Sequence, residues 1–229
     1  MELRAAGLRA ICSTMARPRP TREDEPAHAA GDFAAVLRGM AHRLRLPALE
    51  ARHSTVWVLG LFALVNGLLS MATMAAVAVV TDAPFIFPSL GPTAFLLFYA
   101  STTPAASPRN TIGGHLIGCL VGYLALVLFG LTSRDPALAV GVDWRNVGAA
   151  AFSLAFTSGA MVWCGVPHPP AGATTLIVSL GILREPWQLA VLMLAVVLLV
   201  AQGLVINRLA GLDYPLWAPR RSPDPRRAP

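Results

Sequence analysis

Val166-Pro167-His168-Pro169-Pro170-Ala171-Gly172-Ala173-Thr174-Thr175 lies between two apolar runs, where a membrane helix would otherwise continue without interruption. Pro169 and Pro170 have no backbone N–H and a fixed φ, so a continuous helix cannot pass through them. Proline is nevertheless favoured in the first turn of a helix, where a missing donor is no loss. The stretch therefore predicts a break at Pro167-His168 and a new short helix over about residues 170–183. Gly172, Thr174 and Thr175 stand at its start. Such a start gathers unpaired N–H groups and the positive pole of the helix dipole, a ready site for an anion.

A second stretch resembles the first. Pro88-Ser89-Leu90-Gly91-Pro92-Thr93-Ala94-Phe95 can be laid against Pro169 to Leu176, and proline, glycine and threonine then coincide at the first, fourth and sixth places. Paired Pro/Gly-interrupted hydrophobic segments in the two halves of a chain point to a transporter's binding site.

Composition agrees with a membrane setting. The 229 residues are 55% hydrophobic and 13% charged, and the mean hydropathy of +0.59 exceeds that of most soluble domains. The net charge of +6 comes entirely from arginine, with no lysine, and is concentrated in the two tails. It reads as membrane orientation, not as nucleic-acid binding. Cys12, Cys119 and Cys164 are odd in number and give no disulfide framework. Cys164 and His168 have a spacing that a metal accepts, but no further ligand set accompanies them, and no metal or cofactor is expected.

Residues 1–31 form an Arg-rich tail expected to be disordered. Its first fifteen residues fit a transit peptide superficially, and Met15 serves equally as a start. Residues 32–46 repeat apolar side chains at helical spacing, with Asp32 as N-cap and Pro47 as stop. They predict an amphipathic interfacial helix within a connector region, 32–54. A transmembrane domain over 55–211 follows, then a disordered basic tail over 212–229. Within the domain, long spans are predicted over 56–80, 111–131, 146–166 and 187–210, with broken segments over 85–100 and 170–183.

The expected fold is thus an all-α membrane bundle of six hydrophobic segments, four long and two short. Between His168 and the charged Arg184-Glu185 only about fifteen residues are available, roughly 22 Å of helix, close to one passage and too little for a re-entrant loop with two limbs. Six crossings arranged as an inverted three-plus-three repeat follow, with both Arg-rich tails cytoplasmic. Gly113, Gly114, Gly118 and Gly122 give small-residue faces that suggest close helix contact and self-association.

His168-Pro169-Pro170-Ala171-Gly172-Ala173-Thr174, together with Pro108-Arg109-Asn110-Thr111-Ile112-Gly113-Gly114-His115, resembles the HPP family of small integral membrane proteins. The resemblance covers about residues 55–210. It implies a transporter, usually described with four spans, and some members are linked to nitrite transport. The six-crossing count departs from that description. So does Gly91-Pro92-Thr93, which stands where many members carry Gly-Ala-Ser.

The candidate substrate-binding residues are His168, Pro169, Pro170, Gly172, Thr174 and Thr175 in the second break, Ser89, Gly91 and Thr93 in the first, and Arg109, Asn110 and His115 between them. His168 either titrates or partners an anion, or it caps a broken helix end. Arg109 with Asn110 either forms an anion-attracting mouth or anchors a loop at the membrane surface. His115 either packs against a neighbouring helix or contacts the ligand. The threonines either donate to a substrate or bond their own helix carbonyls. The function expected is passage of a small inorganic anion, nitrite-like, across a lipid bilayer, the bacterial inner membrane, by a protein that is not an enzyme. The acids Asp82, Asp135, Asp143 and Glu185 lie at span boundaries and form no catalytic set. The alternative is a non-transporting membrane scaffold or regulatory subunit, which needs no paired helix breaks.

Overall fold

A computed structural model describes residues 45–219, so the expected tail over 1–31 and nearly all of the interfacial helix over 32–46 lie outside the described residues. Pro47, read above as a stop, instead occupies the first turn of α1 (Leu46–Glu50), the position in a helix where proline is tolerated. Next comes α2 (Thr55–Thr81), whose 27 residues extend about 40 Å. Asp82 ends it in the left-handed conformation, φ 51°.

The first broken segment is only partly helical. Phe85, Phe87 and Ser89 are buried while Ile86 and Pro88 are exposed, the alternation of an extended chain. Helix α3 (Leu90–Tyr99) begins beyond it and covers about 15 Å, half the hydrocarbon thickness. A 3-10 turn (Pro104–Ala106) leads to α4 (Pro108–Leu128), with Ser107 as N-cap and Pro108 in its first turn. Arg109 and Asn110, expected in a loop, are therefore helical.

After the short α5 (Ala137–Val140) comes α6 (Trp144–Trp163). Asp143 opens α6 by accepting from the amides of Arg145 and Asn146 at 3.0 and 3.1 Å, while Asn146 Oδ1 accepts from the Asp143 amide, a reciprocal capping box. Helix α6 ends before the prolines are reached. Gly165 adopts φ +64°, its amide donates to Val162 O, and the next amide, of Val166, reaches back to Met161 O at 2.8 Å. This Schellman closure stops the helix, and the prolines that follow keep it from resuming. Helix α7 (Ala171–Ser179) is likewise shorter than residues 170–183, because Gly181 closes it in the same way. The last helix is α8 (Pro186–Leu209).

Among the described residues, α2, α4 and α8 are long and apolar enough to cross a membrane. Their most apolar windows are 17, 44 and 33% buried respectively, so α4 is the central element. Helices α6 and α7 pack on α4, α3 lies against α2, and α8 touches α4, α3 and α2. The chain after Leu212 departs from the expected disordered tail. Residues 212–219 fold back, Tyr214 is fully buried with its hydroxyl on Ala106 O at 2.6 Å, and Trp217 O accepts from the Arg109 amide.

Candidate functional site

The site is built where α7 sinks into a stripe on α4. A Cβ on Gly114 would stand 2.7 Å from His168 Cβ, one on Gly118 2.8 Å from Ala171 O, and one on Gly122 2.8 Å from Thr175 O. Only hydrogen fits at those three positions, so the helix axes approach closely and α7 runs alongside α4. The glycine face expected to support self-association is thus occupied within the chain itself.

This approach sets His168 beside His115, one residue beyond Gly114. Their ring centroids are 4.9 Å apart, and both side chains are fully buried. Thr93 on α3 and Thr174 on α7 complete the junction, each with no exposed surface. Thr174 Oγ1 is 2.7 Å from His115 Nδ1, and Thr93 Oγ1 is 2.9 Å from His115 Nε2 and 3.4 Å from His168 Nε2. The two threonines that coincide in the sequence alignment therefore grip opposite nitrogens of one histidine.

Donor chemistry fixes the protons. His168 Nδ1 lies 2.8 Å from Ala105 O; a carbonyl only accepts, so Nδ1 carries the hydrogen and Nε2 of the neutral ring has a lone pair. The Thr93 hydroxyl donates to Ser89 O at 2.9 Å. Its oxygen then accepts from His115 Nε2–H, which leaves His115 Nδ1 to accept from the Thr174 hydroxyl. No proton is left for the longer contact between Thr93 Oγ1 and His168 Nε2. Two acceptors face each other there, which accounts for the 3.4 Å separation.

The helix starts differ from expectation in one respect. The amides of Ala171, Gly172 and Ala173 bond back to His168 O, Pro169 O and Pro170 O at 3.0–3.1 Å, so α7 presents hydroxyls to the junction in place of unpaired N–H groups. The two short helices lead away from His115 in opposite directions along α4. Leu97 O, late in α3, accepts from Asn207 near the end of α8, and the 3-10 turn before α4 packs on α3. Beyond α7, Leu180 O accepts from Ala137, and Gly181 lies beside Leu126 near the far end of α4.

The other predicted residues divide. Thr175 is buried but bonds Thr157 of α6 at 3.0 Å, outside the histidine junction. Ser89 is buried with an unpartnered Oγ. Pro170 is buried, whereas Pro169 and Gly91 are exposed and Gly172 is half-exposed; none of these last three enters the histidine junction. Arg109 is half-exposed at the start of α4, with Nη2 3.4 Å from Cys164 O. Asn110 is buried, its Nδ2 3.5 Å from Pro167 O and its Oδ1 unpartnered. Both stand two to one helical turns before His115 and clasp the chain that enters the break. A cleft of about 310 Å³ between α6 and the start of α7 reaches His168 from the side, with Leu154, Met161 and Val162 among its walls.

Residues not anticipated also contribute. Ser153 bonds Ser179 at 2.9 Å one turn from the Thr157–Thr175 pair, giving α6 and α7 a ladder of hydroxyls. Thr111, buried without a partner for its Oγ1, sits one turn before His115. Asn146, Ser153 and Thr157 recur at seven- and four-residue steps, a polar stripe legible on α6.

The family model for the HPP transmembrane region matches residues 52–215, well over half of the chain. The chain belongs to the HPP transmembrane family. Two transmembrane proteins of Dictyostelium discoideum are similar to it. One is 32% identical over 101 residues, covering 44% of this chain and 29% of that protein. The other is 27% identical over 135 residues, covering 56% and 44%. This HPP chain thus aligns with less than half the length of either relative. No solved structure matches it. The matched region contains the whole junction of Thr93, His115, His168 and Thr174.

Proposed function

We propose that this HPP protein passes a small inorganic anion, nitrite-like, through the junction between α3 and α7. The observation that carries the reading is the convergence of two short helices on one buried histidine pair, each supplying its first-turn threonine. The positive ends of two helix dipoles meeting at that pair favour a negative ligand.

Six crossings in an inverted three-plus-three order are part of the proposal. Contacts Leu46 N–Ala210 O, Arg109 N–Trp217 O and Arg109 Nη2–Cys164 O gather the starts of α2 and α4 with the ends of α6 and α8 at one membrane face. Each broken segment, an extended limb plus a half-length helix, then counts as a passage. Trp144 and Trp163, both strongly exposed at the two ends of α6, are spaced by about 30 Å of helix, matching aromatic anchors at opposite interfaces. The face that holds the start of α2 and the end of α8 carries Arg45, Arg52, Arg109 and Arg208, which supports a cytoplasmic side in a bacterial inner membrane.

The test is uptake of nitrite and nitrate into proteoliposomes of purified protein, with His168→Ala and Thr93→Val beside the wild type. Uptake above protein-free vesicles, lost in both variants, is expected. Wild-type vesicles that admit neither anion faster than protein-free ones would overturn the reading. A specific observation favours a second one. The four side chains of the junction are fully buried, with Thr93 and Thr174 bonded to His115 and His168 bonded to Ala105 O, a packed state that suits a non-transporting scaffold as well as a closed transporter.

A further inference from the structure

His168 Nε2 is a lone pair facing another acceptor in a fully buried junction. A proton added there would turn that contact into a donated hydrogen bond. Thr93 Oγ1 has a second lone pair with which to receive it while its own hydrogen stays on Ser89 O. Hydrogen bonding would then be complete, but charge would not be balanced.

The ionisable groups on the surrounding elements are few. Helix α3 has only Tyr99, at its far end; α4 has Arg109, His115 of the junction itself, Cys119 and Tyr123; α6 has Arg145 at its distant start; α7 has none; α8 has Arg208 at its end. Cys164 lies at the end of α6, and Tyr214 donates its hydroxyl to Ala106 O beside Ala105. No Asp or Glu occurs in α2, α3, α4, α6, α7 or α8, nor in residues 99–110 or 164–170, and Asp213, in the segment that carries Tyr214, is exposed and shares a surface cleft with Arg45 and Arg208. A cationic His168 would therefore sit between two positive helix ends with no carboxylate to compensate it, an unfavourable buried charge. An anion alone is favoured by the two helix ends but meets no full positive charge in the junction, because Arg109 of α4 is directed to Cys164 O.

We propose that the junction takes up a proton on His168 Nε2 and a monovalent anion together, so that the species passed is electrically neutral. The proposal rests on the transport reading above and specifies its coupling. The proton leaves with the anion on the far side, which restores the lone pair and the closed hydrogen-bonded junction.

The experiment uses wild-type proteoliposomes loaded with a pH indicator and given an inward nitrate gradient. Nitrate is chosen because its conjugate acid is too strong to leak across as a neutral molecule. The lumen should acidify with one proton per nitrate, at a rate unchanged when the membrane potential is clamped to either sign. Nitrate entry without acidification, or with a rate that follows the potential, would overturn the coupling and leave the transport reading standing. Absence of both nitrate and nitrite entry would overturn the two together. His168→Asn keeps an N–H toward Ala105 O but cannot be protonated, and should lose nitrate-driven acidification by at least about tenfold. Full acidification by a monodisperse His168→Asn protein would overturn the assignment of the proton to His168. If that variant fails to fold, the wild-type ratio decides the question alone.

Discussion

Thr93 and Thr174 are the residues on which the junction depends, since each satisfies one nitrogen of a ring that has no other partner. Replacing either by valine keeps the shape and leaves a buried imidazole nitrogen unpaired. Each change should cost about 1 kcal/mol, read as a lower melting temperature in detergent. Thr175→Val should perturb the α6–α7 contact while leaving the histidines paired, because its bond is to Thr157. Asp143 supplies a pH signature away from the membrane interior. The Asn146 amide, then the Arg134 side chain, hold its carboxyl below the ordinary carboxylate range. A depressed folded-state pKa gives stability that is present above the unfolded value, about 3.9, and lost as pH falls through the folded one. The melting temperature of Asp143→Asn should therefore lie below that of the wild type at neutral pH, and the gap should close in acid. A gap that widens in acid would contradict the assignment.

Among the elements, α4 and α7 form the most demanding contact. Gly118→Val would drive a side chain against Ala171 O, a backbone atom that cannot swing aside. The expected cost is about 1–3 kcal/mol or loss of the folded protein, scored by monodispersity on size exclusion. Gly91→Ala is the contrasting change, because a Cβ there meets nothing within 4 Å. It should be tolerated even though Gly91 aligns with Gly172. The prolines of the two breaks were readable as obstacles to helix, and the glycines were readable as small. That Gly165 and Gly181 terminate α6 and α7 was less legible, because a positive φ is only one of the conformations glycine can take.

For the molecule as a whole, the decisive question is which segments share a membrane face. In a Cys12→Ser background, Cys164, exposed at the end of α6, should react with an impermeant maleimide only from the side that holds Leu46 and Ala210. A cysteine at Ser133, before α5, should react only from the other side. Reaction of both from the same side would refute the six-crossing order. The C-terminal segment is expected to be structural: Tyr214→Ala removes a fully buried ring and its bond to Ala106 O, and should lower the melting temperature by several degrees, corresponding to about 3–5 kcal/mol.

Whatever depends on neighbouring residues was legible in the amino-acid order. Apolar run lengths set the long helices, prolines forbade helix at two places, and the shared order of proline, glycine and threonine marked Thr93 and Thr174 as equivalent. Which distant groups meet was set by the packing of the helices. It brought Thr174 to His115 across 59 positions and Thr93 to His168 across 75, left Arg109 half-exposed on Cys164 O, and drew residues 212–219 into the fold. Local rules constrain φ and hydrophobicity one turn at a time, whereas these meetings follow from how closely α7 can lie on the glycine stripe of α4. That distance belongs to the packed pair and is written in neither helix alone.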